Sequence, residues 1–247
     1  PCPPFSVAGK QLGAKDERDL FPEALRLTDE IRPRAVMLEN VRGFLDADFE
    51  SYRKRLFGQF RKLGYKTDIK LLQASDFGVP QLRPRVVIIA LRADDADHFT
   101  WPEKLQAPTP TVGDTLADLM AANKWRGVKQ WIAGAQAIAP TIVGGSKKHG
   151  GPDLGPSRAR KAWAALGVNG GTIAEFAPER DFTDVPKLTV RMVARIQGFP
   201  DDWHFTGRKT AAYRQVGNAF PPPVAHAVGQ RIMQMFELAA HRSVLVA

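Results

Sequence analysis

Amphipathic helices alternate with short apolar strands over the first third of the chain, and this alternation strongly constrains its fold. Residues 16–31 and 49–63 carry apolar side chains at helical spacing. Residues 35–38, 65–72 and 85–91 are predicted strands, and 35–38 is entirely apolar, as in strands buried on both faces. Helices that alternate with buried strands predict a doubly wound α/β layer.

The sequence changes character near residue 94. Residues 94–187 are rich in Pro, Gly, Lys and Arg, and only 112–120 and about 158–166 have helical spacing. Helical spacing returns at 188–199, and 223–238 predicts a closing helix. We therefore expect an α/β domain over 1–93, a small loop-rich domain over 94–187, and a return to the first domain over 188–247.

Composition narrows the function classes. The 247 residues include 35 Lys plus Arg against 26 Asp plus Glu, a net charge of +9 that favours a polyanionic partner without identifying it. A single cysteine excludes an internal disulfide framework and a Cys-rich zinc site, so no metal is expected and a reducing cytoplasm is the default compartment. The longest apolar run is too short to span a bilayer, and the first residues do not resemble a signal peptide.

Cys2 is a candidate nucleophile. A lone cysteine is most simply a small buried apolar residue. However, Pro1, Pro3 and Pro4 impose an irregular turn, which would expose the thiol. Nucleophilic attack would then require the thiolate form.

Glu39 and Asn40 follow the apolar run 35–38. They are either part of a surface loop or part of a ligand site, because the carboxyl ends of strands line the crevice of an open α/β sheet. A partly desolvated carboxyl there can stay protonated and donate to a ring nitrogen.

Three further motifs allow both a structural and a functional interpretation. Gln81, Arg83 and Arg85 precede or enter a strand, either as solvated side chains or as an anion clamp whose guanidinium orients a carboxylate. Residues 197–203 and 215–224 are either plain turns or helix starts that hold a polar cofactor group. Gly217 and Asn218 are predicted to form a tight loop before the closing helix.

In this order the motifs resemble the cytosine-C5 DNA methyltransferase family. Pro1-Cys2 resembles its catalytic Pro-Cys motif, and Glu39-Asn40-Val41 its Glu-Asn-Val motif. Gln81, Arg83 and Arg85 match its Gln-x-Arg-x-Arg motif, while 195–203 and 215–224 resemble its last two motifs. The resemblance implies a Rossmann-like S-adenosylmethionine-dependent methyltransferase fold, incomplete at its N-terminus, with 94–187 as the target-recognition domain.

The resemblance also implies catalytic roles. Cys2 would attack carbon 6 of a flipped cytosine while Glu39 holds or donates a proton at N3. Arg85 would anchor the base and Glu39, with Arg83 nearby. Carbon 5 would then accept a methyl group from S-adenosylmethionine, which makes the chain a DNA (cytosine-5-)-methyltransferase acting by covalent catalysis.

Binding residues are implied by the same motifs. The cofactor contacts would be Pro1, Leu20, Asn218 and Ala219. Residues 6–15 would form a loop that closes over the flipped base, although its lysines also suit a solvated loop. The implied contacts to double-stranded DNA are Ser6, Lys10, Lys15, Gln81, Thr141, Lys147, Lys148, Arg158 and Arg160. A bacterial restriction-modification enzyme, cytoplasmic and associated with the nucleoid, is the expected setting.

The sequence departs from the family where its Phe-x-Gly-x-Gly cofactor loop would stand. We expect a shortened chain or an incomplete sequence rather than a two-polypeptide enzyme with a complementary subunit, since the chain does not begin with methionine. Two other activities stay open: a tRNA cytosine-5 methyltransferase on the same scaffold, and a non-catalytic DNA-binding subunit.

Overall fold

The computed structural model describes residues 3–5, 16–144 and 151–245. The chain divides into two compact units. Unit 1 comprises Pro1–Leu72, Pro84–Glu103 and His226–Ala247, and unit 2 comprises Gln73–Arg83 and Lys104–Ala225. The domain boundaries expected at residues 93 and 187 stay predictions.

Unit 1 is built on a three-stranded sheet. Its strands β1 (Ala35–Val41), β2 (Tyr65–Gln73) and β3 (Pro84–Arg92) lie in the order β1-β3-β2, and β1 runs antiparallel to β3. The middle strand β3 is buried along most of its length, whereas β1 is mostly half-buried at one edge of the described sheet. The apolar run 35–38 predicts that β1 is buried on both faces. In the structure, β3 is the strand that is buried in this way.

Unit 1 also contains the helices α1 (Phe21–Ile31), α2 (Glu50–Lys62) and α3 (Ala93–Ala96), and all but the first turn of α9 (Pro222–Leu245). The first helix starts later than its apolar spacing predicts, because the Asp16 carboxylate accepts hydrogen bonds from the backbone and guanidinium of Arg18 and forms a turn. Pro22 lies in the first turn of α1, where a missing N–H costs nothing. The core of unit 1 contains Phe5, Phe21, Phe44, Phe49, Leu56 and Phe60.

Unit 2 is mainly helical. It contains α4 (Val112–Ala121), α5 (Val128–Gly134), α6 (Ser157–Ala164), α7 (Val190–Ile196) and α8 (Lys209–Asn218) around a core that includes Leu116, Met120, Trp163 and Tyr213. Thr111 caps α4 by a reciprocal hydrogen-bond pair with Asp114, which explains where that helix begins. Helices α5 and α8 are missing from the sequence predictions.

Gly217 and Asn218 are the last two residues of α8, not a loop at the start of the next helix. The helix buries Ala212, Tyr213, Val216 and Gly217 on one face, and this face extends to its last turn. Ala219 then adopts an extended conformation, and α9 begins at Pro222. None of the helices in the described part of the chain has the length and apolar character needed to cross a membrane.

Candidate active site

Glu39 and Arg85 are brought together by the register of β1 and β3. Val41 lies opposite Arg85 and Glu39 lies opposite Val87, so Glu39 and Arg85 occupy diagonal positions on one face of the sheet. The Nε atom of Arg85 is 2.7 Å from Oε1 of Glu39. The structure therefore pairs the two residues to which the sequence assigned acid and anchor roles.

This pair is held in a mostly buried setting. The Arg85 side chain is 9% exposed and the Glu39 side chain is 22% exposed, so a ligand would meet the carboxyl group first. Arg85 Nε forms the ion pair with Glu39, while Nη1 donates to the Pro84 carbonyl at 2.9 Å. Burial lowers the pKa of Arg85, and the nearby charge of Glu39 opposes that effect.

Asn40 differs from its neighbour. It is 1% exposed, and its Oδ1 accepts a hydrogen bond from the Val41 backbone N–H at 2.8 Å. Both residues lie inside β1 rather than after it. Of this Glu-Asn pair, only Glu39 keeps exposed side-chain surface that could contact a substrate.

Cys2 lies outside the described residues, as do Pro1, Ser6, Lys10, Lys15, Lys147 and Lys148. The short turn Pro3–Phe5 that follows Cys2 is anchored by Phe5, which is fully buried. The Phe5 ring centroid lies 4.9 Å from that of Phe44 and 5.0 Å from that of Phe49. A Cβ on Gly43 would lie 2.3 Å from the Phe5 carbonyl oxygen, so a glycine at this position permits the close approach.

Arg83 makes a different set of contacts from Arg85. It is fully buried in unit 2, and its guanidinium donates to the backbone carbonyls of Ile142, Gly217 and Ala219 at 2.5, 2.8 and 3.0 Å. The ion pair with Glu39 is made by Arg85. The catalytic role expected for Arg83 stays a prediction, and its contacts are those of a residue that holds backbone segments.

The described residues with expected cofactor roles are divided between the units. Leu20 precedes α1 in unit 1 and is 70% exposed. Asn218 is exposed at the end of α8 in unit 2, and Ala219 after it is partly exposed.

The residues expected to bind DNA differ in exposure. Arg158 and Arg160 are exposed on α6, and neither has an acidic partner within 4.0 Å among the residues that the structure describes. Thr141 is partly exposed, and its hydroxyl donates to the Leu82 carbonyl. Gln81 is fully buried, and its side chain bonds to Gln197 and Ile142. Of the four, Arg158 and Arg160 have the greatest exposure for contacts to DNA.

Two residues of unit 2 received no role from the sequence. Gln197 is fully buried and donates to the Ala219 carbonyl at 2.7 Å. Arg195 pairs with Asp118 on α4 and with Asp201 in the turn after α7. Both belong to the motif at 195–203. The motif therefore indicated this region as functional, but the sequence could not predict which residues Gln197 and Arg195 contact.

A family model described as C-5 cytosine-specific DNA methylase matches residues 1–234. The chain belongs to this family. Type II methyltransferase M.NgoMIV of Neisseria gonorrhoeae is 53% identical over 237 residues, which cover 95% of this chain and 75% of that protein. Type II methyltransferase M.NaeI of Lentzea aerocolonigenes is 59% identical over 235 residues, or 94% of this chain. The family resemblance of the sequence motifs is thus confirmed.

The chain spans 57% of the length of M.NaeI. Among solved structures, the Entamoeba histolytica methyltransferase EhMeth matches 94% of this chain and 74% of its own, with a TM-score of 0.59 and 15% identity. The S. pombe Dnmt2 methyltransferase matches 88% of this chain and 72% of its own, with a TM-score of 0.53 and 17% identity. These similarities confirm the expected methyltransferase fold.

Proposed function

We propose that this chain carries the catalytic part of a DNA (cytosine-5-)-methyltransferase of the Type II restriction-modification kind. The observation that carries the proposal is the Glu39–Arg85 pair, formed between two family motifs on adjacent strands of unit 1. Membership of the family and the Type II methyltransferase relatives support the same reaction.

The proposed reaction is covalent catalysis on an extruded cytosine. Glu39 takes a proton from water when the base enters and gives it to N3 while the Cys2 thiolate forms a bond to carbon 6, so that carbon 5 becomes nucleophilic. Arg85 orients the Glu39 carboxyl and the base. After carbon 5 has gained a methyl group, a base such as water removes its proton, the sulfur–carbon bond breaks, and Cys2 leaves as the thiolate while N3 returns its proton.

S-adenosylmethionine, when bound, supplies the methyl group. Leu20 in unit 1 offers exposed apolar surface for a ring, and Asn218 in unit 2 offers an exposed amide for a polar group. With Pro1 and Ala219, these residues are the proposed cofactor contacts.

Duplex DNA is the proposed substrate. Exposed arginines on α6 suit phosphate or guanine contacts, and the net charge of +9 favours a polyanion. Extruding the base costs a few kcal/mol of stacking and pairing, which such contacts must offset. The basic residues at 6–15 and 147–148 are proposed to add to this interface.

Covalent trapping tests the proposal. Duplex DNA that contains 5-fluorocytosine is incubated with S-adenosylmethionine and the protein, both as this chain and as the longest natural protein that contains it. Fluorine at carbon 5 cannot leave as a proton does, so the adduct accumulates and is seen as a band resistant to denaturation. We expect the adduct with the native sequence and its loss in Cys2→Ser.

Three outcomes would contradict the proposal. An adduct that persists in Cys2→Ser would remove Cys2 as the nucleophile. Methylation of tRNA without methylation of DNA would favour the tRNA enzyme. DNA binding with neither an adduct nor methylation would favour a non-catalytic subunit.

A further inference from the structure

A buried polar hub lies in unit 2, made of Gln81, Arg83 and Gln197, each with no exposed surface. Gln81 Nε2 donates to Gln197 Oε1 at 2.5 Å, and Gln81 Oε1 accepts from the Ile142 backbone N–H at 2.8 Å. Burial of polar groups costs free energy unless they are hydrogen-bonded, and a network that satisfies them selects one arrangement of the segments it joins. Neither Gln81 nor Gln197 has a role in the proposed methyl-transfer reaction.

Arg83 connects two separate segments within this hub. One guanidinium nitrogen, Nη1, donates to the Ile142 carbonyl, and the other, Nη2, donates to the carbonyls of Gly217 and Ala219. Gln197 adds a hydrogen bond to the Ala219 carbonyl. The rigid, planar fork of a guanidinium fixes the relative position of these carbonyls in a way that a lysine ammonium does not.

The two segments also touch directly. A Cβ on Gly217 would lie 2.6 Å from the Gly144 Cα and 2.6 Å from the Val143 carbonyl oxygen. A Cβ on Gly144 would lie 2.3 Å from Oδ1 of Asn218. Because the backbones are this close, a shift of residues 217–219 at the end of α8 displaces the 141–144 segment, and the reverse also holds.

We propose that Arg83 is a positioning residue that couples cofactor binding at residues 217–219, the end of α8, to DNA binding at the 141–144 segment. The inference rests on the proposed function, which gives Asn218 and Ala219 to the cofactor and Thr141 to DNA. Coupling of this kind is reciprocal: a cofactor that orders residues 217–219 raises the affinity for DNA by the factor by which DNA raises the affinity for the cofactor.

Hydrogen exchange of the native sequence gives the first test. The probe is S-adenosylhomocysteine, which cannot transfer a methyl group. Its binding should protect the amides of 216–220 and also slow exchange of the Ile142 amide, which donates to Gln81 within the hub. Protection of 216–220 with an unchanged Ile142 amide would overturn the coupling alone. No binding by the native sequence would overturn the cofactor assignment, and the coupling with it.

Substitutions at Arg83 give the second test. Calorimetry measures the Kd of S-adenosylhomocysteine with and without a duplex that bisulfite sequencing shows to be methylated by the native protein. We expect DNA to tighten cofactor binding about tenfold in the native protein. The ratio of the Kd without DNA to the Kd with DNA should fall to about one in Arg83→Met and recover in part in Arg83→Lys.

The matched control is Arg126→Met, which removes another unit 2 arginine from an exposed ion pair with Asp181 and should keep the native factor. A folded Arg83→Met protein with the native factor would refute the inference. If that variant does not fold, the exchange of the Ile142 amide in the native protein decides the question.

Discussion

Arg85 reaches Glu39 diagonally across two antiparallel strands, with Nε and Oε1 2.7 Å apart. Strand β3 begins at Pro84 and β1 ends at Val41, so antiparallel pairing places the start of one beside the end of the other. This register gives an acid and a guanidinium one common face.

Replacement of Glu39 by glutamine should slow methylation by about 10²- to 10⁴-fold, since the amide cannot give a proton to N3. DNA affinity should stay near that of the native protein because the side chain keeps its size. Single-turnover methylation and a DNA titration measure the two effects. Glu103→Gln, at an exposed site, is the matched control. Unchanged turnover in Glu39→Gln would contradict the acid role.

Loss of Arg85 should destabilise the fold. Arg85→Met leaves the Glu39 carboxylate partly buried without this partner, which we expect to cost about 3 kcal/mol in the free energy of unfolding. The double variant Glu39→Gln/Arg85→Met should recover part of that cost because no unpaired charge remains. Urea unfolding measures each variant.

Arg126→Met serves as control for this series, because its ion pair with Asp181 is exposed and should change stability by about 0.5 kcal/mol or less. Strictly additive effects at Glu39 and Arg85 would show that the pair has no energetic coupling.

The arginines on α6 should contribute to DNA binding through phosphate charge. Arg158→Ala and Arg160→Ala should each weaken binding and lower the slope of log K against log salt by about one for every phosphate that the side chain neutralises in the native complex. Fluorescence anisotropy over a salt series measures both quantities. Arg126→Ala should leave the slope unchanged, and an unchanged slope in the α6 variants as well would place the DNA elsewhere.

Acid should weaken unit 2 through Asp118 and Asp201. Hydrogen bonds from Arg195 lower the pKa of both carboxyl groups below the usual value of 3.8. Their stabilisation is therefore present above that value and is lost as the pH falls through it towards the lower pKa of the folded state. Urea unfolding at several pH values between about 5 and 2 should show a shallower loss of stability in Arg195→Met. An equally steep loss in that variant would assign the acid sensitivity to other groups.

Much of unit 1 could be predicted from sequence because its signals are local. Apolar runs and helical spacing located β1, β2, β3, α1 and α2 to within a few residues. Unit 2 is harder to predict: α8 ends in Gly217 and Asn218, residue types that favour turns, so the sequence predicts a loop where the structure has the end of a helix.

The amino-acid sequence by itself determined the family and the residue types of the candidate site, because motif order and side-chain chemistry are properties of the chain. The family resemblance already assigned Glu39 to Arg85, whereas only the tertiary structure decided what Arg83 contacts. Arg83 and Arg85 are chemically identical and two residues apart, yet one donates to three carbonyls of unit 2 and the other pairs with Glu39. Strand register and long-range packing make that choice, and neither is encoded in the local spacing of the motif.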